Sequence, residues 1–177
     1  MLYYGSSITE GGCCTRITNG YNAMLSDGLD LDYYNFGFSG SAKGELAMAD
    51  YINTLDICAL VYDYDHNAPS AEHLEATHEA FFKRIREKHP TLPVLMMTKP
   101  DFDYDPDADR RRTVIRRTYE NALASGDENV YFLDGELFFG ETERELCSVD
   151  RCHPNDLGFY RMAAVVEPVL RRMIETK

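Results

Sequence analysis

Two short stretches carry reactive side chains at spacings that suit chemistry. The chain opens MLYYGSSITEGG, with Gly5, Ser6 and Ser7 directly after a short apolar run. Near its other end stands VDRCHPND, in which Asp150 precedes His153 by three residues. A serine needs a base to become a nucleophile. A histidine of ordinary pKa, about 6.5, can be that base at neutral pH. A carboxylate fixes the tautomer and orientation of the imidazole. A three-residue spacing suits a short turn in which both side chains face one way. Between these ends lie a glycine-rich stretch, NFGFSGSAKG (35–44), and DYDHN (63–67), which ends in Asn67. Backbone N–H groups and a side-chain amide can stabilise an oxyanion. These are the parts needed for acyl transfer.

The elements that must position them alternate. Leu2–Tyr4 reads as a strand, Asn19 to about Leu29 as a helix, Leu31–Phe36 as a strand and Lys43–Asn53 as a helix. ICALVY (Ile57–Tyr62) is a continuous apolar run, as expected of a strand buried on both faces. Ser70 caps a helix through about Lys88, with acids at its start and bases at its end. Leu92–Thr98 is the next strand, Asp107–Ser125 a helix and Val130–Leu133 the fifth strand. The helix from about Asn155 carries Met162, Val166, Val169, Leu170 and Met173 on one stripe, with a kink or break expected at Pro168. Such alternation predicts an α/β fold of three layers, α/β/α. Its five-stranded parallel sheet should have the flavodoxin-like order 2-1-3-4-5. Ligands then bind outside the carboxyl ends of the strands, where the loops with Ser7, Gly40 and Asn67 fall.

The bulk numbers exclude several partners. The 177 residues fit one domain, 1–177, and 44% of them are hydrophobic and 27% charged, as in a globular protein. A formal net charge of −12 argues against nucleic acid and anionic membranes. No apolar run approaches the roughly 20 residues of a membrane span, and LYY is too short for a signal peptide, so the chain reads as cytoplasmic. The five cysteines form no C-x-x-C pair, which fits neither a disulfide framework nor a zinc site. Thiols are expected ahead of a Cys147–Cys152 bridge. No metal or other cofactor is called for.

The four stretches resemble the blocks of the SGNH (GDSL-like) hydrolase family, in order and over essentially the whole chain. Gly5-Ser6-Ser7 is similar to the family's Gly-Asp-Ser, with Ser6 in place of an aspartate that lies outside the triad. Gly40 within NFGFSG, Asn67, and Asp150-Arg151-Cys152-His153 match the other three blocks. The resemblance implies a nucleophile at Ser7, a general base at His153 and an orienting carboxylate at Asp150. It implies an oxyanion hole from the N–H groups of Ser7 and Gly40 and the Asn67 amide. GSSIT, NFGFSG and HPNDLGF are most similar to a branch of bacterial esterases that carries an N-terminal β-sandwich domain, absent here. Several of that branch remove acetyl groups from plant polysaccharides.

The expected activity is therefore hydrolysis of small acyl esters, acetyl above all, on a small molecule or oligosaccharide. A lipid or thioester acylhydrolase would use the same triad, and a non-catalytic carbohydrate-binding module could keep the fold. Without the sandwich domain an exposed apolar patch is expected, which a homodimer would cover. His66 and Tyr64, beside Asn67, are candidate substrate contacts, weighed against satisfied core positions. The acids of 101–109 alternate as in a calcium loop, but Pro106 and Arg112 stand where an EF-hand needs glycine and glutamate. A solvated loop is expected there, followed by a solvated helix face bearing Arg110, Arg111, Arg112, Arg116 and Arg117.

Overall fold

The computed structural model describes residues 1–100 and 102–175. Five parallel strands, β1 (Leu2–Gly5), β2 (Tyr34–Gly37), β3 (Leu60–Asp63), β4 (Val94–Met97) and β5 (Val130–Leu133), form one sheet in the order β2-β1-β3-β4-β5. Strand β1 pairs with both neighbours, Leu2 with Tyr34 and with Leu60. Its side chains alternate between two cores. Leu2 and Tyr4 pack with Ile52, Leu74, Phe81 and Ile115 on one face, while Tyr3 packs with Tyr21, Leu25, Phe159 and Met162 on the other. Burial on both faces is why β1, β3 and β4 read as unbroken apolar runs.

Helices cover both faces. The first is a short one, α1 (Ser7–Glu10), that no periodicity announces. It is followed by α2 (Tyr21–Gly28), α3 (Leu46–Ile52), α4 (Ala71–Lys88), α5 (Ala108–Ala124) and α6 (Asp156–Glu175). Ser70 caps α4 by accepting from His73 N–H. Of the kink or break expected at Pro168, no break occurs: helix α6 runs through it. The proline ring removes the bond to the carbonyl of Ala164, but both residues are on the exposed side of the helix. Val166, Val169, Leu170 and Met173 stay buried on either side of the proline.

Strand β2 starts three residues later than expected. Leu31 and Tyr33 are apolar because they pack against the core from the approach to the strand, and pairing begins only where β1 is available. Among the described residues no helix is long and apolar enough to cross a membrane. None of the cysteines is in a disulfide.

Candidate active site

All the singled-out loops lie at the carboxyl edge of the sheet. Ser7 opens α1 directly after β1, and the Ser6 hydroxyl caps that helix by accepting from Ile8 N–H at 3.1 Å. As the first helical residue, Ser7 has a backbone N–H without an intrahelical acceptor. The tight strand-to-helix turn depends on two paired glycines, Gly5 and Gly37. A Cβ on Gly37 would overlap the backbone of Glu10, and one on Gly5 would overlap Thr9 and the carbonyl of Asp63.

His153 and Asp150 are set by a turn between Ser148 and Pro154, which form an antiparallel bridge. Arg151 sits at φ 66°, a left-handed conformation uncommon for a residue with a side chain. The Asp150 Oδ1 accepts from Cys152 N–H at 3.0 Å and from His153 N–H at 2.7 Å. Its Oδ2 lies 2.8 Å from His153 Nδ1. The backbone N–H of His153, followed by its imidazole, holds the Asp150 carboxyl below the usual carboxylate range. His153 Nε2 lies 2.9 Å from Ser7 Oγ. Serine, imidazole and carboxylate thus form a continuous relay across the sheet edge, the arrangement in which a hydroxyl can lose its proton as it attacks a carbonyl.

The other two loops meet beside it. Gly40 is in the left-handed region, at φ 68°, in a turn whose bonds to the Phe38 carbonyl use the N–H groups of Ser41 and Ala42. Asn67 ends a 3₁₀ turn, Asp65–Asn67, after β3. Its Oδ1 accepts from Ala42 N–H at 3.3 Å, which leaves Nδ2 as the donor end of the amide. His66 lies beside the relay, with its ring 6.4 Å from that of His153. Its Nε2 is 2.6 Å from Cys152 Sγ, and its Nδ1 is buried with no partner among the described residues. Burial, with the charges of Lys99, His153 and Arg111, pushes His66 down to about 4, so it is neutral at neutral pH. Tyr64 faces inward instead. It is 1% exposed, its hydroxyl bonds Thr77, and its ring stacks on His78, so its side chain belongs to the core rather than to the cleft.

Beneath the Asp65–Asn67 turn lies an ionic cluster that the sequence reading missed. Arg111 is 8% exposed. It donates to the carbonyls of Asp65 and Ala68 at 2.9 and 3.0 Å and reaches the Asp65 carboxylate at 3.3 Å. Lys99 N–H donates to that carboxylate, and the Lys99 ammonium pairs with Asp105 at 3.0 Å. This corrects two expectations. Arg111 is not on a solvated face, and Asp105 is part of the cluster rather than of a solvated loop; Asp101 lies outside the described residues. A signal existed: Arg111 stands four and seven residues before Ile115 and Thr118, on the inward stripe of α5. A second buried acid, Asp63, accepts from Tyr21 and Thr9 hydroxyls at 3.1 and 3.2 Å. Burial pushes its carboxyl up to about 8.

A depression of about 260 Å³ lies between α1 and the loop after β2, lined by Glu10, Phe38, Ser39 and Ser41, and another of about 360 Å³ is lined by Tyr104, Val149, Asp150 and Arg151. A larger concavity, about 690 Å³, is lined by Phe82, Arg86 and Asn121 near the far ends of α4 and α5. It holds no nucleophile–base pair and is not where the relay lies.

The sequence model of the GDSL-like lipase/acylhydrolase family matches residues 1–171. A search of curated proteins finds no match. Among solved structures, a protein from Bacteroides ovatus described as a GDSL-like lipase is 29% identical with a TM-score of 0.88, covering 98% of this chain and 53% of its own. A salicylyl-acyltransferase from a tetracycline biosynthetic pathway is 22% identical with a TM-score of 0.79, covering 97% of this chain and 54% of its own. A two-domain esterase active on acetylated mannans is 18% identical with a TM-score of 0.79, covering 98% and 48%. The latter two likenesses are of fold. The chain spans about half the length of these three structures.

Proposed function

The chain belongs to the GDSL-like lipase/acylhydrolase family, and we propose that it is a serine esterase that removes small acyl groups, acetyl above all, from carbohydrate. The observation that carries this reading is the relay from Ser7 Oγ to His153 Nε2 at 2.9 Å and from His153 Nδ1 to Asp150 Oδ2 at 2.8 Å.

Ser7 Oγ attacks the ester carbonyl carbon while His153 Nε2 takes the hydroxyl proton. Asp150 holds the imidazole in the tautomer that accepts at Nε2 and offsets the positive charge that forms on it. The carbonyl oxygen becomes an oxyanion, and the N–H groups of Ser7 and Gly40 with Asn67 Nδ2 are its proposed donors. Collapse breaks the bond to the leaving alcohol, which takes the proton from His153. Water then attacks the acyl-Ser7 ester by the same steps, releasing the acid and restoring the serine.

A long acyl chain needs an apolar trough to bury it, and the depressions beside α1 and beside Asp150, about 260 and 360 Å³, are lined mainly by polar residues. This favours acetyl over the lipid and thioester alternatives. A formed relay counts against a module that only binds sugar. The test is product release from acetylated xylo-oligosaccharides, p-nitrophenyl acetate and p-nitrophenyl palmitate. Cleavage of the acetyl esters with little of the palmitate is expected. A preference for palmitate, or no cleavage of any of them, contradicts the proposal.

A further inference from the structure

The Asp150–His153 turn places a thiol among the groups of the relay. The left-handed Arg151 folds the turn so that one donor atom each from Asp150, Cys152 and His153 lies within 4.8 Å of the others. His66 meets the thiol from a different loop and stands outside that set of three, with its Nε2 2.6 Å from Cys152 Sγ. Asp150 is exposed, and Cys152, His153 and His66 are partly so, so an ion can enter from solvent. Arg111 clamps the turn that carries His66 through the carbonyls of Asp65 and Ala68, which fixes His66 as an outer partner of the thiol.

We propose that Cys152, His153 and Asp150 form a binding site for a borderline-soft divalent cation of the Zn²⁺ class, with His66 as an outer partner of the thiol, and that an ion held there stops turnover. One thiolate, one imidazole and one carboxylate, with water in the fourth position, are donor types of four-coordinate zinc. Hard, oxygen-seeking Mg²⁺ and Ca²⁺ do not favour such a set. On binding, the metal–sulfur bond replaces the S–H bond and the thiol proton leaves to solvent, so charge and atoms balance. A metal at about 2.0–2.3 Å from each donor fits among three atoms that lie within 4.8 Å of one another. Inhibition follows whichever His153 nitrogen binds. An ion on Nδ1 replaces the hydrogen bond to Asp150, and an ion on Nε2 takes the lone pair that receives the Ser7 proton. The site draws on the relay residues but does not require that they hydrolyse esters.

The probe is Co²⁺, whose bond to a thiolate gives a charge-transfer absorption in the near ultraviolet. Wild type, Cys152→Ser and His66→Ala are titrated with Co²⁺, with circular dichroism confirming that each variant is folded. A band saturating at one equivalent is expected in wild type and no such band in Cys152→Ser. His66→Ala should bind about tenfold more weakly, the lower end of what losing an outer-shell partner costs a metal site. Zn²⁺ should abolish the cobalt band and Mg²⁺ should not. In parallel, Zn²⁺ should inhibit p-nitrophenyl acetate hydrolysis by wild type far more strongly than by Cys152→Ser. No band in wild type, an equal band in Cys152→Ser, or equal Zn²⁺ inhibition of the two overturns the proposal. If no ester is hydrolysed at all, the cobalt absorption alone decides the site, and only the esterase reading falls.

Discussion

The carboxylate of Asp156 accepts from both the backbone N–H and the hydroxyl of Thr15, at 2.9 and 2.5 Å. Asp156 opens α6, three residues after His153, and Thr15 lies in the loop that follows the Ser7 helix. The pair therefore joins the segment that carries the base to the segment that carries the nucleophile. Asn19 adds a third donor at 3.0 Å. We expect Asp156→Ala to lower kcat with little change in KM, by up to the roughly hundredfold that a misplacement of about 1 Å costs. Asp156→Asn, which keeps an acceptor for Thr15 N–H, should recover part of that loss. Steady-state kinetics of both variants check this.

Gly37 makes the same point through close contact. Its missing Cβ is where the backbone of Glu10 passes, so Gly37→Ala must push α1 and Ser7 away from His153. Activity on p-nitrophenyl acetate should fall by on the order of a hundredfold. A fully active variant would show that the position of α1 is not critical.

Arg111 holds the turn of His66 and Asn67 from below. Removing one partner of a buried ion pair leaves the other uncompensated and costs about 3–5 kcal/mol. Arg111→Ala should therefore unfold at clearly lower urea concentration, and Arg111→Lys, which keeps the charge but not the fork of donors, should fall between. Equal midpoints for wild type and Arg111→Ala would contradict this.

Asp63 predicts a pH dependence. Its folded pKa is raised to about 8, against about 3.9 in an unfolded chain. Between these values the native state keeps a proton that the unfolded state has lost, so this group's contribution to stability falls as pH rises. Asp63→Asn cannot ionise. Its melting temperature relative to wild type should rise steadily from pH 5 to pH 8, read by thermal unfolding across that range. A constant difference would mean that Asp63 is ionised throughout.

Much of this was legible in the sequence, for physical reasons. Doubly buried strands are apolar runs, so the bounds of β5 and the order of the elements came through. Ser70 announced the start of α4 because capping chemistry is local. The relay was legible because Asp150 and His153 stand three residues apart and because Gly5-Ser6-Ser7 and Asp150–His153 resemble the family's first and last blocks. Arg111 was misplaced because its neighbours, Arg110 and Arg112, are exposed or part-exposed, and charge was read before helical spacing. Asp65 and Asp105 carry no local sign of burial, since their partners come from other loops. The Cys152–His66 contact joins residues 86 apart, a distance that no local pattern spans.

The central claim is that Ser7, and not its neighbour Ser6, is a nucleophile activated by His153. Labelling with a fluorophosphonate, which is attacked by an activated serine and stays attached, followed by peptide mass spectrometry, tests it most directly. The account predicts one adduct per chain, on Ser7, which disappears in His153→Ala because the base is gone. An adduct on Ser6, or labelling of Ser7 that does not depend on His153, would contradict it.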